Sequence, residues 1–403
     1  MKLFYFGSVC SQDVFNETVA KSKVKPSASA QNFESALIQG FSANSEVELK
    51  VASAESIAMF PGGNRIYLKK RRDTLNDRCT AEIIPALNLP FFKQTGHARG
   101  AARLLKKWLK ENEGEADKCV LVYGIYPAVV KKLQQVCHKH GCKIFALVTD
   151  VPSTMFTYTK SKNPLKKMFS GSYRQMAVEL QDKFDGYVYL TEAMKDEVAP
   201  GKPYMVMETI ADTKIFDAIA PIPKSTPPAV MYAGALYKKY GVDMIIEAFE
   251  RIQVDCELWL FGAGDYEQEI KSKALYNPKI KFFGRVSREE VLQKEKEASL
   301  LLNIRNSQDA YTKYSFPSKM VEYMLSATPV LTTKLPGIPD EYDSYCYVTL
   351  DREPQKIADM IAEILSSGKM AEIGERARDF VINNKNSTVQ TARMMEFLDK
   401  QIK

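Results

Sequence analysis

The residues best suited to chemistry lie in one stretch, Tyr314–Met324, YSFPSKMVEYM. An apolar run, Ala298–Ile304, ends in Arg305 before it, and a second run, Pro329–Thr332, follows it. The pattern predicts strand, loop, helix, strand, which is half of a doubly wound sheet. Ser315 suits a helix N-cap and Pro317 a first helical turn. The start of such a helix presents N–H groups and a positive dipole end, and both favour a phosphate. Ser318 and Lys319 sit at that start, and Lys319 adds a cation. Glu322 follows on the same face, roughly 5 Å deeper along the axis. A carboxylate accepts several hydrogen bonds and so suits a cis-diol. A diphosphate at the helix tip with its ribose on Glu322 fits that spacing. A surface carboxylate beside a solvated lysine fits the same residues.

The elements that must hold this stretch can be read on both sides. Strand Ala229–Tyr232 runs into Gly234-Ala235-Leu236, strand Glu257–Phe261 into Gly262-Ala263-Gly264, and strand Ile280–Phe283 into Gly284-Arg285-Val286. Glycine loops at strand ends let a backbone approach a ligand closely. There is neither a Walker nor a dinucleotide fingerprint. The Pro-rich segment Ala218–Pro228 reads as a linker. It divides the chain into residues 1–220 and 221–387, with a last helix at 388–403 crossing back to the first domain. In the first half, strands Lys2–Phe6, Val47–Val51, Cys119–Tyr123 and Lys143–Thr149 alternate with helices Gln31–Phe41, Gly100–Glu111 and Ala128–His140. That alternation predicts a parallel sheet covered on both faces. Residues 55–100 are poorly periodic. Asp150 follows the strand ending at Thr149, where open α/β sheets place ligand-contacting residues. It either handles an acceptor hydroxyl, as base or hydrogen-bond acceptor, or caps the next loop.

Composition narrows the classes. A chain of 403 residues, 45% apolar and 26% charged, is an ordinary soluble composition with room for two cores. No apolar run approaches the ~20 residues of a membrane span. Met1 leads into a strand, so the expected location is the cytoplasm or the inner face of the cell membrane. Charge is uneven: residues 1–220 carry 31 Lys+Arg against 23 Asp+Glu, and residues 221–403 carry 25 against 26. The excess peaks at Lys69-Lys70-Arg71-Arg72 and again over Arg99–Lys110. Anionic lipid and phosphorylated acceptors fit such a surface. Nucleic acid fits less well, since no binding module accompanies the charge. The basic and aromatic stretch Met155–Met176 fits either a bilayer interface or an ordinary surface helix. The seven cysteines are scattered, as expected of reduced thiols. Cys137-His138-Lys139-His140-Gly141-Cys142 lacks zinc spacing and reads as a helix end closed by Gly141.

In order and spacing, these residues resemble the nucleotide-sugar domain of retaining glycosyltransferases of family 4, which have the GT-B fold. The resemblance runs from Met231-Tyr232-Ala233-Gly234 through Tyr240-Gly241-Val242, Phe261-Gly262-Ala263-Gly264, Phe283-Gly284 and Asn303-Ile304-Arg305. It continues through Ser315-Phe316-Pro317-Ser318-Lys319 to Glu322-Tyr323-Met324 and Pro329-Val330-Leu331. It is weaker in the first half, where Val148-Thr149-Asp150-Val151-Pro152 and Leu190-Thr191-Glu192 are similar to bacterial polysaccharide-synthesis members. The resemblance implies two Rossmann-like domains facing a cleft, the first for the acceptor and the second for the donor. It implies Glu322 on the donor ribose, Lys319, Ser318 and Arg305 at the diphosphate, and Gly284, Arg285 and Val286 near the base. Gly234, Lys239 and Gly262 complete the donor set, and Asp150, Arg305 and Lys319 form the catalytic set. Where many members have a second glutamate, an arginine, a lysine and a histidine, this chain has Tyr314, Ala235, Tyr240 and Asp150. The implied reaction moves a sugar from a UDP- or GDP-sugar to a saccharide or lipid-linked acceptor, with retention, without a cofactor and without a required metal. An epimerase acting on the nucleotide sugar and a non-catalytic nucleotide-sugar-binding protein are the alternatives.

Overall fold

The computed structural model describes residues 1–154 and 164–403 and, within the helix Pro164–Gln181, the side chains from Ser170 onward. The Met155–Met176 stretch therefore lies largely outside the described residues. The chain forms two units. One comprises Met1–Ile210 with Ser387–Lys403, and the other Ala211–Asn386. The chain thus changes unit before the Pro-rich segment, not within it, and Ala218–Pro228 belongs to the second unit. Backbone pairing fixes the passage: Ala211 N–H donates to Lys385 O at 2.8 Å, and Ala211 bridges Asn386.

The first unit holds an eight-stranded sheet. Its spatial order is Tyr204–Val206, Gly186–Tyr189, Lys143–Val148, Lys118–Tyr123, Lys2–Gly7, Glu48–Ser53, Cys79–Ile83 and Arg71–Asn76. All neighbours are parallel except the last pair, which is antiparallel. The first strand sits in the middle, so loops diverge on either side of it, as in doubly wound sheets. Central strands such as Phe4–Phe6 and Cys119–Val122 are buried throughout, the signature of a sheet covered on both faces. The helix Ser387–Ile402 closes one face: Met394 and Leu398 join Leu37, Phe41 and Leu121 in one core. Gln390 Nε2 also donates to Thr209 O at 2.7 Å.

Residues 55–100 are more regular than their sequence suggests. They hold strands Tyr67–Leu68, Arg71–Asn76, Cys79–Ile83 and Ala86–Leu87, and a helix beginning at Phe92, eight residues before the expected Gly100. The polar stretch between the first strand and the helix at Gln31 contains a further helix, Gln12–Lys21. The cysteine–histidine stretch is a helix end: Cys142 N–H and His140 N–H both reach Cys137 O, and Gly141 has φ 60°.

The second unit holds a six-stranded parallel sheet. Its order is Ile280–Gly284, Glu257–Ala263, Ala229–Ala235, Leu300–Asn303, Val330–Thr333 and Tyr347–Thr349. The switch point lies between Ala229–Ala235 and Leu300–Asn303, and the loops after these two strands open toward a common crevice. Those strands pair only at Val230–Leu300 and Met231–Leu301 and then part. Tyr323 fills the gap: its hydroxyl accepts from Ala233 N–H at 2.8 Å and donates to Ala233 O at 3.1 Å. Its ring is buried in the core. Among the described residues, no helix is long and apolar enough to cross a membrane.

Candidate functional site

The helix carrying Lys319 and Glu322 spans Lys319–Leu325, shorter than the sequence suggests. Its N-cap is Ser318, not Ser315, and the Ser318 side chain makes no capping hydrogen bond. Ser315 is extended at the end of a short 3₁₀ helix, Ala310–Tyr314, and Phe316 and Pro317 are buried in the turn that follows. Burying Phe316 takes up the residues that would otherwise have formed a first turn. Two turns of helix leave little dipole, so side chains carry most of the electrostatics here.

Those side chains form a cluster of four. Lys319 Nζ contacts Glu322 Oε1, Glu295 Oε1 lies 3.6 Å from Lys319 Nζ, and Arg288 Nη2 lies 3.6 Å from Glu322 Oε2. Arg288 and Glu295 sit two turns apart on the helix Arg288–Glu297, so they share a face. The Lys319 ammonium thus turns back onto two carboxyls and does not project from the helix tip. Glu295 is fully buried, and neither of its oxygens has a hydrogen-bond partner among the described residues. Burial, reinforced by the nearby Glu322 charge, holds its carboxyl well above the usual range, so it stays protonated. Burial also pushes Glu322 up, but Lys319 and Arg288 outweigh it and leave that carboxyl below its ordinary value. Burial lowers Lys319, yet Glu322 and Glu295 pull it above the ordinary lysine value. Two cations, Lys319 and Arg288, thus flank the Glu322 carboxylate, with the Glu295 carboxyl raised toward its neutral form beside them.

Arg305 belongs to a neighbouring set at the switch point. Its guanidinium lies 5.1 Å from the centre of the Tyr240 ring. The loop that carries Tyr240 also carries Lys239, whose ammonium sits 4.8 Å from the same ring centre, and Tyr311 Oη donates to Lys239 O at 2.8 Å. This loop lies directly on the Arg305 strand end: a Cβ on Gly241, which has φ 79°, would come within 1.6 Å of Ile304 O. Gly262 serves a similar purpose. It has φ 124°, and a Cβ there would lie 1.8 Å from Gly234 O. Gly241 lets its loop pack on the Arg305 strand end, and Gly262 lets two neighbouring strand ends close on each other where the sequence suggested room for a ligand. Gly284 differs, with φ 67° and only Phe282 within 4 Å, so its surroundings are open. Arg285 is exposed beside it and Val286 packs on the core.

Asp150 lies in the first unit, exposed after the strand Lys143–Val148, and accepts from Thr149 Oγ1 at 3.2 Å. A cavity of about 440 Å³ opens in the same unit beyond the ends of Lys2–Gly7 and Glu48–Ser53. Ile57, Met59, Lys93, His97, Tyr126 and Tyr173 are among its lining residues. Glu55, also in the lining, is held by Arg65 and by Arg71 at 3.0 Å. Burial lowers Lys93 to about 8, and its ammonium donates to Ile57 O. Burial and the Lys93 charge lower His97 to about 4, and its Nε2 is buried without a partner among the described residues.

Sequence reasoning missed Glu295, Arg288, Tyr323, Lys93 and His97. The seven-residue spacing of Arg288 and Glu295 is a usable signal for a shared helix face. Among the described residues, no group of three or more His, Cys, Asp and Glu side chains could hold a metal ion.

Residues 227–367, about a third of the chain, match the family described as Glycosyl transferases group 1. A search of curated proteins gives no significant match. Several solved structures share the fold. Sucrose-phosphate synthase from Thermosynechococcus elongatus aligns with TM-score 0.64 at 12% identity, over 99% of each chain. HepE from Anabaena, in complex with UDP and glucose, aligns with TM-score 0.62 at 14% identity, over 99% of this chain and 100% of that one. The apo lipopolysaccharide outer core galactosyltransferase WaaB aligns with TM-score 0.60 at 12% identity, over 100% and 99%. The chain has a two-domain GT-B-like fold, and residues 227–367 of its second unit match the glycosyltransferase group 1 family, a match that supports a transferase.

Proposed function

We propose that this chain is a retaining, metal-independent glycosyltransferase. It moves a sugar from a UDP- or GDP-sugar to a saccharide or lipid-linked acceptor in exopolysaccharide or envelope polysaccharide synthesis, at the cytoplasmic face of the membrane. The observation that carries this reading is the four-residue cluster in which Lys319 and Arg288 flank the Glu322 carboxylate, inside the segment that matches the glycosyltransferase family. HepE, which shares the fold, holds UDP and glucose.

In this mechanism Glu322 accepts hydrogen bonds from the donor ribose, and a carboxylate has lone pairs to spare beyond its two cations. Arg305 faces the charge that develops on the diphosphate as the bond to the anomeric carbon breaks, and Lys319 and Arg288, which hold Glu322, add to the positive field there. Preorganised cations in a water-poor site lower that barrier, and they take the role that a metal ion would otherwise fill. The acceptor oxygen bonds to the anomeric carbon on the face the diphosphate leaves, and its proton passes to the departing phosphate. Asp150 orients the acceptor hydroxyl.

The test is Glu322→Ala, assayed for transfer from UDP- and GDP-sugars. The expected result is a loss of roughly a hundredfold in kcat/KM, or about 2.7 kcal/mol of transition-state stabilisation, with an unchanged circular dichroism spectrum. Wild-type donor kinetics in this variant would remove the assignment. Donor isomerisation without any acceptor would favour an epimerase, and UDP binding without turnover a binding protein.

A further inference from the structure

The first unit exposes an apolar surface that its core does not need. Phe91 and Phe92 are 66% and 61% exposed, Tyr67 56%, Ile66 48%, Phe60 40% and Leu87 36%. They form one connected surface. Tyr67 pairs with Leu87 across the two-stranded ladder. Tyr67, Leu87, Phe91, Phe92 and Arg99 line a shallow trough of about 450 Å³. Asn88 ties in the remainder: its side chain donates to Ala58 O and Arg65 O, its N–H donates to Ile66 O at 2.6 Å, and Phe60 N–H donates to its carbonyl at 3.0 Å. Phe91 has φ 66° and ψ −46°, a conformation that an aromatic L-residue rarely adopts. Such outliers cluster where a surface has a task.

The charge around this surface is predominantly positive. Residues 56–72 contain five Lys or Arg and residues 83–103 contain three, with no Asp or Glu in either span. Arg65, Arg71 and Lys93 turn inward to Glu55 and Ile57. Lys69, Lys70, Arg72, Arg99 and Arg103 are exposed, and none is in an ion pair among the described residues. Exposed aromatic rings flanked by an excess of exposed cations, of which Arg72 and Lys70 also feel the Glu82 carboxylate on the neighbouring strand, match the lipid–water boundary, where rings enter the headgroup layer and cations meet anionic lipid. A second copy of this chain would set one cationic face against another.

We infer that the exposed Phe91–Phe92 tip, the Tyr67–Leu87 ladder and their flanking lysines and arginines form a docking surface for an anionic phospholipid bilayer. This extends the membrane-side location proposed above and names the surface responsible. It holds whether or not the chain transfers sugar, because binding is read without turnover.

The test is flotation of the full chain with phosphatidylcholine vesicles, with and without phosphatidylglycerol. The expected result is binding to the anionic vesicles alone, weakened by salt. The double variant Phe91→Asn/Phe92→Gln should bind roughly tenfold more weakly or worse, since each buried ring contributes more than a factor of a few. Asn at an N-cap favours the helix, so this variant should fold. Lys69→Gln/Lys70→Gln should lose roughly tenfold at low salt and little at high salt. UDP-induced thermal shifts should match wild type in both variants, which separates a failure here from a failure of the transferase reading. Equal binding to neutral vesicles, no binding to either, or unchanged binding in both double variants would overturn the inference. So would a dimer in sedimentation that the phenylalanine variant dissolves.

Discussion

The two candidate regions treat buried charge in opposite ways. In the second unit, Lys319, Glu322, Arg288 and Glu295 are gathered so closely that three charged groups and a carboxyl raised toward its protonated form support one another, and the two cations hold Glu322 below its ordinary value despite burial. In the first unit, the cavity residues Lys93 and His97 lack such company, and burial draws both toward neutrality. Under the proposed function, the first arrangement is the one that meets a diphosphate. The second is a largely apolar receptacle with a few polar points, the chemistry that would suit the glycan or lipid portion of an acceptor. The contrast shows that burial alone does not set ionisation. The nearest charged neighbours do.

That contrast can be broken at several points. The largest effect should come from Glu295→Gln, which fixes the neutral form. In the wild type the folded carboxyl keeps its proton while the unfolded one releases it, so the folded state binds more protons and stability falls as pH rises. The contribution is fully present below the usual carboxylate range and is lost progressively as pH climbs toward the raised folded value. The variant should match wild type in acid and exceed it at neutral pH, the gap widening by at most about 1.4 kcal/mol per pH unit. Glu322 works in the other direction: its stabilisation is present above the usual carboxylate range and fades as pH falls through its depressed value. Urea denaturation across a pH series reads both slopes, and a flat difference between variant and wild type would refute a protonated Glu295. Next, Tyr323→Phe strands the buried Ala233 N–H and C=O and should cost about 2 kcal/mol. A melting temperature equal to wild type would show that the parted strands need no tie. The smallest effect sharpens the division of labour. Lys93→Met should raise acceptor KM roughly tenfold, about 1.4 kcal/mol, and leave donor KM unchanged. A change in donor KM instead would mean that the cavity is not an acceptor site.

How much of this was legible in the sequence depended on how each segment is buried. The strands at Ala229, Glu257, Ile280 and Leu300 could be read because sheets covered on both faces need unbroken apolar runs. Residues 55–100 could not, because their strands are two to six residues long and polar on one side. The start of the Phe92–Glu111 helix was masked by Gly96 and Gly100, which usually weaken a helix. Here a Cβ on Gly100 would lie 2.3 Å from Ile84 Cγ2, so the glycine is a packing requirement. Glu322 and Lys319 were found from spacing. Glu295 was not, because its neighbours on Arg288–Glu297 are nearly all charged, and nothing local marks it as buried. Tyr323 looked like one more apolar residue, and its hydroxyl acquires a purpose only where two strands part.

The pairing of Ala211 with Asn386 has a consequence for modularity. The chain enters and leaves the second unit through adjacent residues, so 211–386 is one uninterrupted cassette with its ends already joined. Segments with neighbouring termini are the kind that tolerate excision, transplantation and circular permutation. The family match lies wholly inside this cassette. Under the proposed function, whatever this cassette binds can be carried between proteins as a single cut-and-paste unit, while the residues on either side change independently of it.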